Sequence, residues 1–144
     1  MALLGETRTI LLVEDNPDDE SLAIRALGQC SVRSHAVVAR DGAEALHLLH
    51  GADAIDPDLV LLDLKIPKVP GLDVLRRIRA NERTRTIPVV VLSSSDEATD
   101  IDESFDLGAN SYIRKSVDLD AFVEMIQQVG SYWLGLNLTA SEEH

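Results

Sequence analysis

Cysteine is almost absent from this 144-residue chain, and long apolar runs, basic runs and low-complexity linkers are missing altogether. Cys30 stands alone, which rules out an intrachain disulfide and a cysteine-built metal site and fits a reducing compartment. The apolar runs are of strand length, far below the roughly 20 residues that cross a bilayer. The opening Met1-Ala2-Leu3-Leu4-Gly5-Glu6 is too short and too soon acidic for a signal peptide. A soluble, cytoplasmic protein is therefore expected. Lys and Arg number 13 against 25 Asp and Glu, a net charge of −12, which disfavours a nucleic-acid partner because phosphate binding needs basic patches. A partner surface that is basic or apolar is expected instead. No internal repeat is visible, and the length suits one domain able to remove about 70% of its unfolded surface from water.

What the chain does have is an alternation of strand-like and helix-like segments. Strands are expected near 9–13, 34–39, 58–62, 88–92 and 110–114, with helices near 17–29, 42–51, 71–80, 97–108 and 118–135. Five β-α units in series imply an α/β domain with a parallel sheet covered on both faces. Continuous apolar strands such as Val89-Val90-Val91-Leu92 agree, since a half-exposed strand would alternate. Asn16 can cap the first helix, Pro17 suits its first position, and Asp18, Asp19 and Glu20 complement the positive end of its dipole. Asp41 with Glu44 reads as a capping pair for the second helix. The domain is expected to run to about residue 138, with the polar 139–144 as a frayed tail.

Four of the strands end in polar groups suited to phosphate chemistry. Leu11-Leu12-Val13 runs into Glu14-Asp15, Leu59-Val60-Leu61-Leu62 into Asp63, Val89-Val90-Val91-Leu92 into Ser93, and Tyr112-Ile113-Arg114 into Lys115. In an open parallel sheet the carboxyl ends share one edge, where ligands bind. Three carboxylates crowded there repel one another, and a hard divalent cation with oxygen ligands, naturally Mg²⁺, relieves the repulsion. Such an ion leaves one carboxylate free to attack a phosphoryl donor and form an aspartyl phosphate. Ser93 can donate to a phosphoryl oxygen and Lys115 can supply positive charge to another. Taken singly these residues have plain structural roles: an acid after a strand caps a helix, a serine makes a turn, a lysine is solvated. Their joint order at four strand ends carries the functional interpretation.

Leu12-Val13-Glu14-Asp15-Asn16, Asp58-Leu59-Val60-Leu61-Leu62-Asp63-Leu64-Lys65-Ile66-Pro67, Val91-Leu92-Ser93 and Tyr112-Ile113-Arg114-Lys115 together resemble the receiver domain of two-component response regulators, over about residues 8–135. The resemblance implies a flavodoxin-like (βα)5 three-layer sandwich with sheet order 2-1-3-4-5. It implies Asp63 as phosphoacceptor, with Glu14, Asp15, Asp63 and the backbone carbonyl of Lys65 binding Mg²⁺. Ser93 and Tyr112 would be the switch pair and Lys115 the cation contacting the phosphate. A histidine kinase would be the phosphoryl donor. Asn16-Pro17-Asp18-Asp19, Asp63-Leu64-Lys65-Ile66-Pro67-Lys68, Ser93-Ser94-Ser95, Lys115-Ser116 and Trp133-Leu134 are further similar to the stand-alone regulators of phytochrome-type photoreceptor kinases, which points to a bacteriophytochrome partner.

Two positions depart from the common pattern. Most receivers have a proline, in a cis bond, after the strand-five lysine; Ser116 stands here, and a cis bond without proline costs about 2.5–4 kcal/mol. Lys65, two residues past Asp63, can reach over the phosphoryl site or point into solvent, and solvent is the expectation.

In the last helix Leu119, Phe122, Ile126, Val129 and Trp133 recur at gaps of three and four and make a stripe for the sheet. Val123, Met125, Tyr132, Leu134 and Leu136 fall outside it. They form either a broad core face or a second patch that pairs two chains, and a homodimer is expected. His35, His47 and His50 lack ligand-like neighbours, and Cys30 reads as a small buried or helix-end residue. Two rival functions stand beside the phosphoacceptor: a phosphorylation-independent interaction domain, and a metal-dependent phosphohydrolase. The second wants an acid where Lys65 stands, and an expected role as signalling protein, not turnover enzyme, follows.

Overall fold

In a computed structural model, residues 7–115 and 118–136 are described; the Lys115–Ser116 bond and the tail 139–144 lie outside them. Ten elements alternate: β1 Arg8–Val13, α1 Pro17–Gly28, β2 Ser34–Ala39, α2 Gly42–His50, β3 Leu59–Asp63, α3 Gly71–Ala80, β4 Val89–Ser93, α4 Ala98–Asp106, β5 Ser111–Arg114 and α5 Leu119–Ser131, which runs on into a π-helical turn, Tyr132–Leu136. All the strand pairs are parallel, in the order β2-β1-β3-β4-β5.

Strand alternation divides the core. Leu11, Val13, Val60, Leu62, Val89 and Val91 point to one face, where Ala45 and Leu49 of α2 and Val74, Leu75 and Ile78 of α3 cover them. Ile10, Leu12, Leu59, Leu61, Val90 and Leu92 point to the other, under Ala23, Ala26 and Leu27 of α1 and Phe122, Ile126 and Val129 of α5. Both faces of β1, β3 and β4 are therefore dry, which is why these strands read as unbroken apolar runs. Close approach of α1 and α5 needs Gly130, where a Cβ would lie 2.7 Å from the Cys30 sulfur. Cys30 thus sits just past the end of α1, its thiol donating to the Gln127 carbonyl at 3.4 Å.

The expected caps are present with one change. Asn16 Oδ1 accepts from the backbone N–H groups of Asp18 and Asp19 at 2.9 and 3.2 Å, and Asp41 Oδ1 accepts from that of Glu44 at 2.7 Å. The reciprocal half of the second cap is displaced: the Glu44 carboxylate accepts from Arg40 N–H, at 3.4 Å, and not from Asp41. In α5 the stripe holds at Phe122, Ile126 and Val129, but Leu119 is 61% exposed and Leu134 is buried. Leu119 has the right angular phase and lies at the helix end, so its exposure reflects axial position. Leu134 turns inward because the π-helical turn takes an extra residue per turn and shifts the phase of everything after Ser131.

Sequence inspection missed Arg79 altogether. From the last turn of α3 its guanidinium donates to the carbonyls of Gly108 (2.9 Å), Arg85 (3.0 Å) and Ile87 (2.7 Å) and to Asn110 Oδ1 (2.8 Å). Asn110 Oδ1 in turn accepts from Val89 N–H at 2.8 Å. One side chain thus ties α3 to the entry of β4 and of β5, strands that carry Ser93 and Lys115 at their far ends. Arg79→Ala should lower stability by about 2–4 kcal/mol because it strands partly buried carbonyls. A urea midpoint series checks this, and Arg79→Lys should recover little, since an ammonium lacks the planar fork.

His50 sits in a built environment. Its Nε2 lies 3.1 Å from Thr84 Oγ1, whose own proton goes to the Ile78 carbonyl at 2.8 Å, so the ring nitrogen donates. Burial, and then the charge of Arg83, depress its pKa below the ordinary 6.5. The neutral form is the one favoured by folding, so this contribution is complete above the unfolded value and is lost as pH falls through the lower folded value. Acid titration of stability between pH 7 and 5 should be shallower in His50→Gln, which keeps a donor and cannot titrate.

Candidate functional site

Parallel register brings the strand ends to one edge: Val13 pairs with Leu62, Asp63 with Leu92, and Ser93 with Arg114. The ladder continues one residue further through Glu14 N–H to the Ala39 carbonyl (2.9 Å) and Lys115 N–H to that of Ser93 (2.7 Å). Glu14, Asp63 and Ser93 are buried, whereas Asp15 is exposed. Gly71 lets α3 start directly against the loop after β3: a Cβ there would stand 2.6 Å from Leu64 Cα and 2.8 Å from the Asp63 carbonyl oxygen. In the same loop Lys68 has φ of 70°, a strained conformation for a residue with a side chain.

Carboxylate oxygens of Glu14, Asp15 and Asp63 lie within 4.8 Å of one another. Both oxygens of Asp63 are held, Oδ1 by the Lys65 N–H at 3.0 Å and Oδ2 by the Lys115 ammonium at 2.9 Å. Lys115 Nζ also donates to Glu14 Oε1 at 2.6 Å and to Asp19 Oδ2 at 3.0 Å. Glu14 Oε2 accepts from Asn16 N–H at 3.2 Å. One ammonium therefore faces more negative charge than it can neutralise. Burial, together with the Asp63 charge, pushes Glu14 up to about 7 although Lys115 pulls the other way. Burial also opposes the Lys115 cation, but its bonds to Glu14, Asp63 and Asp19 outweigh that and hold its pKa above the usual lysine range. The residual charge and the all-oxygen donor set fit a hard divalent cation. The Lys65 side chain is exposed, as expected, and its backbone N–H does the local work.

The other strand ends meet at Ser95. Ser93 Oγ accepts from Ser95 N–H at 3.1 Å, and the Tyr112 hydroxyl donates to the Ser95 carbonyl at 2.8 Å. Ser95 Oγ donates to Asp100 Oδ2 at 2.6 Å and accepts from Glu97 N–H at 3.2 Å, which links the turn to the start of α4. Asp19 and Ser95 are thus site residues that sequence inspection passed over. Asp19 had shown only its dipole role, and Ser95 only its place in a serine run.

The family model of the response regulator receiver domain matches residues 10–127. This chain belongs to that family. It is 38% identical over 131 residues to the probable methanogenesis regulatory protein FilR2 of Methanothrix harundinacea, covering 89% of this chain and 84% of that protein. To response regulator Rcp1 of Synechocystis it is 36% identical over 131 residues, covering 88% and 89%. The Mn²⁺-bound crystal structure of Rcp1 matches with a TM-score of 0.87 at 34% identity, over 93% of this chain and 99% of that one. The phosphorylated cyanobacterial phytochrome response regulator RcpA matches with a TM-score of 0.89 at 39% identity, over 94% and 100%. The expected flavodoxin-like order and the likeness to phytochrome response regulators are both found. Among the described residues no helix is long and apolar enough to cross a membrane.

Replacing Lys115 by Met should leave the crowded carboxylates uncompensated. We expect a loss of about 3 kcal/mol in metal-free buffer and a larger rise in Tm on adding Mg²⁺ than in the unmodified chain, both measurable by differential scanning fluorimetry.

Proposed function

We propose that this chain is a signalling receiver that accepts a phosphoryl group on Asp63 from a histidine kinase, one of the bacteriophytochrome type, in a Mg²⁺-dependent reaction. The observation that carries this is the meeting of Lys115 with Asp63 at 2.9 Å inside a three-carboxylate cluster. Glu14, Asp15, Asp63 and the Lys65 carbonyl are the groups that would hold Mg²⁺, which when bound neutralises charge on the transferring phosphoryl oxygens. Asp63 is aimed by the Lys65 N–H, so one carboxylate oxygen attacks phosphorus as the bond to the donor histidine nitrogen breaks. Lys115 then moves from the carboxylate to a phosphoryl oxygen, and the Ser93 hydroxyl turns to another. Ser93 and the Tyr112 hydroxyl are both anchored on Ser95, so a change at Ser93 is passed to Tyr112 and, through Asp100, to α4.

Exposed Leu119, Tyr132 and Leu136 along α5 and its π-helical extension support pairing of two chains as a homodimer. The charge of −12 speaks against nucleic acid, and we place the protein in the cytoplasm. Incubation with Mg²⁺ and acetyl phosphate should add one acid-labile phosphoryl group by mass, and beryllofluoride should shift the elution volume in a sizing run. Asp63→Asn or chelation of the metal should abolish the uptake. Multiple turnovers of a small phosphate ester per protein would instead identify a phosphohydrolase, and unchanged signalling by Asp63→Asn a phosphorylation-independent module.

A further inference from the structure

We propose that Asp19 is a positioning residue for this transfer: it retains the Lys115 ammonium at the site while the other carboxylates turn to the metal. The inference rests on the phosphoacceptor function just proposed and adds a residue to it. An ammonium has three N–H donors, and Lys115 places them on Glu14, Asp63 and Asp19. Two of those partners belong to the cluster fitted to a divalent cation, and Asp19 does not. A cation held there would compete for Glu14 and Asp63 and repel the ammonium. Asp19 is the contact that survives, and it lies on the rim, with its side chain 29% exposed against 12% for Lys115.

The first turn of α1 is built to present it. Asn16 Oδ1 takes the backbone N–H groups of Asp18 and Asp19, so the Asp19 carboxylate is not needed to cap its own helix. Complementing the helix dipole does not explain a contact spanning 96 residues of chain. Glu20, in the same turn, goes instead to Arg40 at 3.0 Å. During transfer from acetyl phosphate an Asp63 oxygen forms its bond to phosphorus as the phosphorus bond to acetate breaks, the electron pair leaving with acetate. Lys115 keeps its three protons throughout. With one N–H held by Asp19, the other two are free to swing from the carboxylates to the phosphoryl oxygens.

The test uses the full chain with Mg²⁺ and acetyl phosphate. Asp19→Ala should slow phosphorylation about tenfold, the effect of losing one charge-assisted hydrogen bond. Asp19→Asn should recover most of the rate, because its amide oxygen still accepts from Nζ. In a Lys115→Ala background, Asp19→Ala should make no further difference. In the Mg²⁺-loaded, unphosphorylated protein the ¹⁵N-correlated Nζ–H resonance of Lys115 should be sharp with Asp or Asn at position 19 and broadened with Ala. A rate unchanged or raised in Asp19→Ala overturns the proposal, and so does the same slowing in the Lys115→Ala background. Failure of the unmodified chain to take up phosphate would sink the proposed function instead, and Asp19 would then stand or fall on the Nζ resonance.

Discussion

The Lys115 ammonium is the interaction on which the rest of this site depends. Glu14 and Asp63 are buried carboxylates a few ångströms apart, and buried charges of one sign cost several kcal/mol each unless they are paired. Lys115, arriving from the end of β5, makes it possible for both to stay at the edge of a folded sheet. One cation cannot neutralise all of them, and burial, with the Asp63 charge added to it, raises the pKa of Glu14. The imbalance suits a domain that takes up a divalent cation, which brings positive charge where the resting site is least comfortable.

Placing that ammonium is a matter of architecture. β5 is an edge strand, and Lys115 can reach Glu14 only across β4 and β3. The reach is kept by a sheet that is dry on both faces and by loops that hold the entries of β4 and β5 in register. Arg79 does much of the latter from the opposite end of the strands. Gly71 allows α3 to start close against the loop after Asp63, in which Lys68 is strained and the Lys65 N–H donates to Asp63 Oδ1.

Much of the fold was legible because its signals are local. Five apolar runs at strand length, separated by helical periodicity and opened by Asn16-Pro17 and Asp41, led to the right element order and, within a few residues, the right boundaries. Glu14, Asp15, Asp63, Ser93 and Lys115 were legible as strand-end residues for the same reason, whereas the switch role of Tyr112 came only from the family resemblance. Asp19, Ser95 and Arg79 were not, because each shows a plainer local role: an acid in a first helical turn, a serine in a serine run, a basic residue in a last turn. Leu134 fell outside the core stripe because a pattern of gaps of three and four carries no warning of a π-helical turn.

By itself the sequence determined the alternation of elements, the dry faces of the central strands and the chemical groups at the carboxyl ends, since these follow from side-chain periodicity over a few residues. Only the tertiary structure decided how those groups are shared: that Lys115 has a third partner in Asp19, that Ser93 and Tyr112 are tied to one serine, and that Asp63 has both oxygens held. Such contacts join residues far apart in the chain. They depend on the sum of strand register, helix entry angles and loop lengths, which no local pattern encodes.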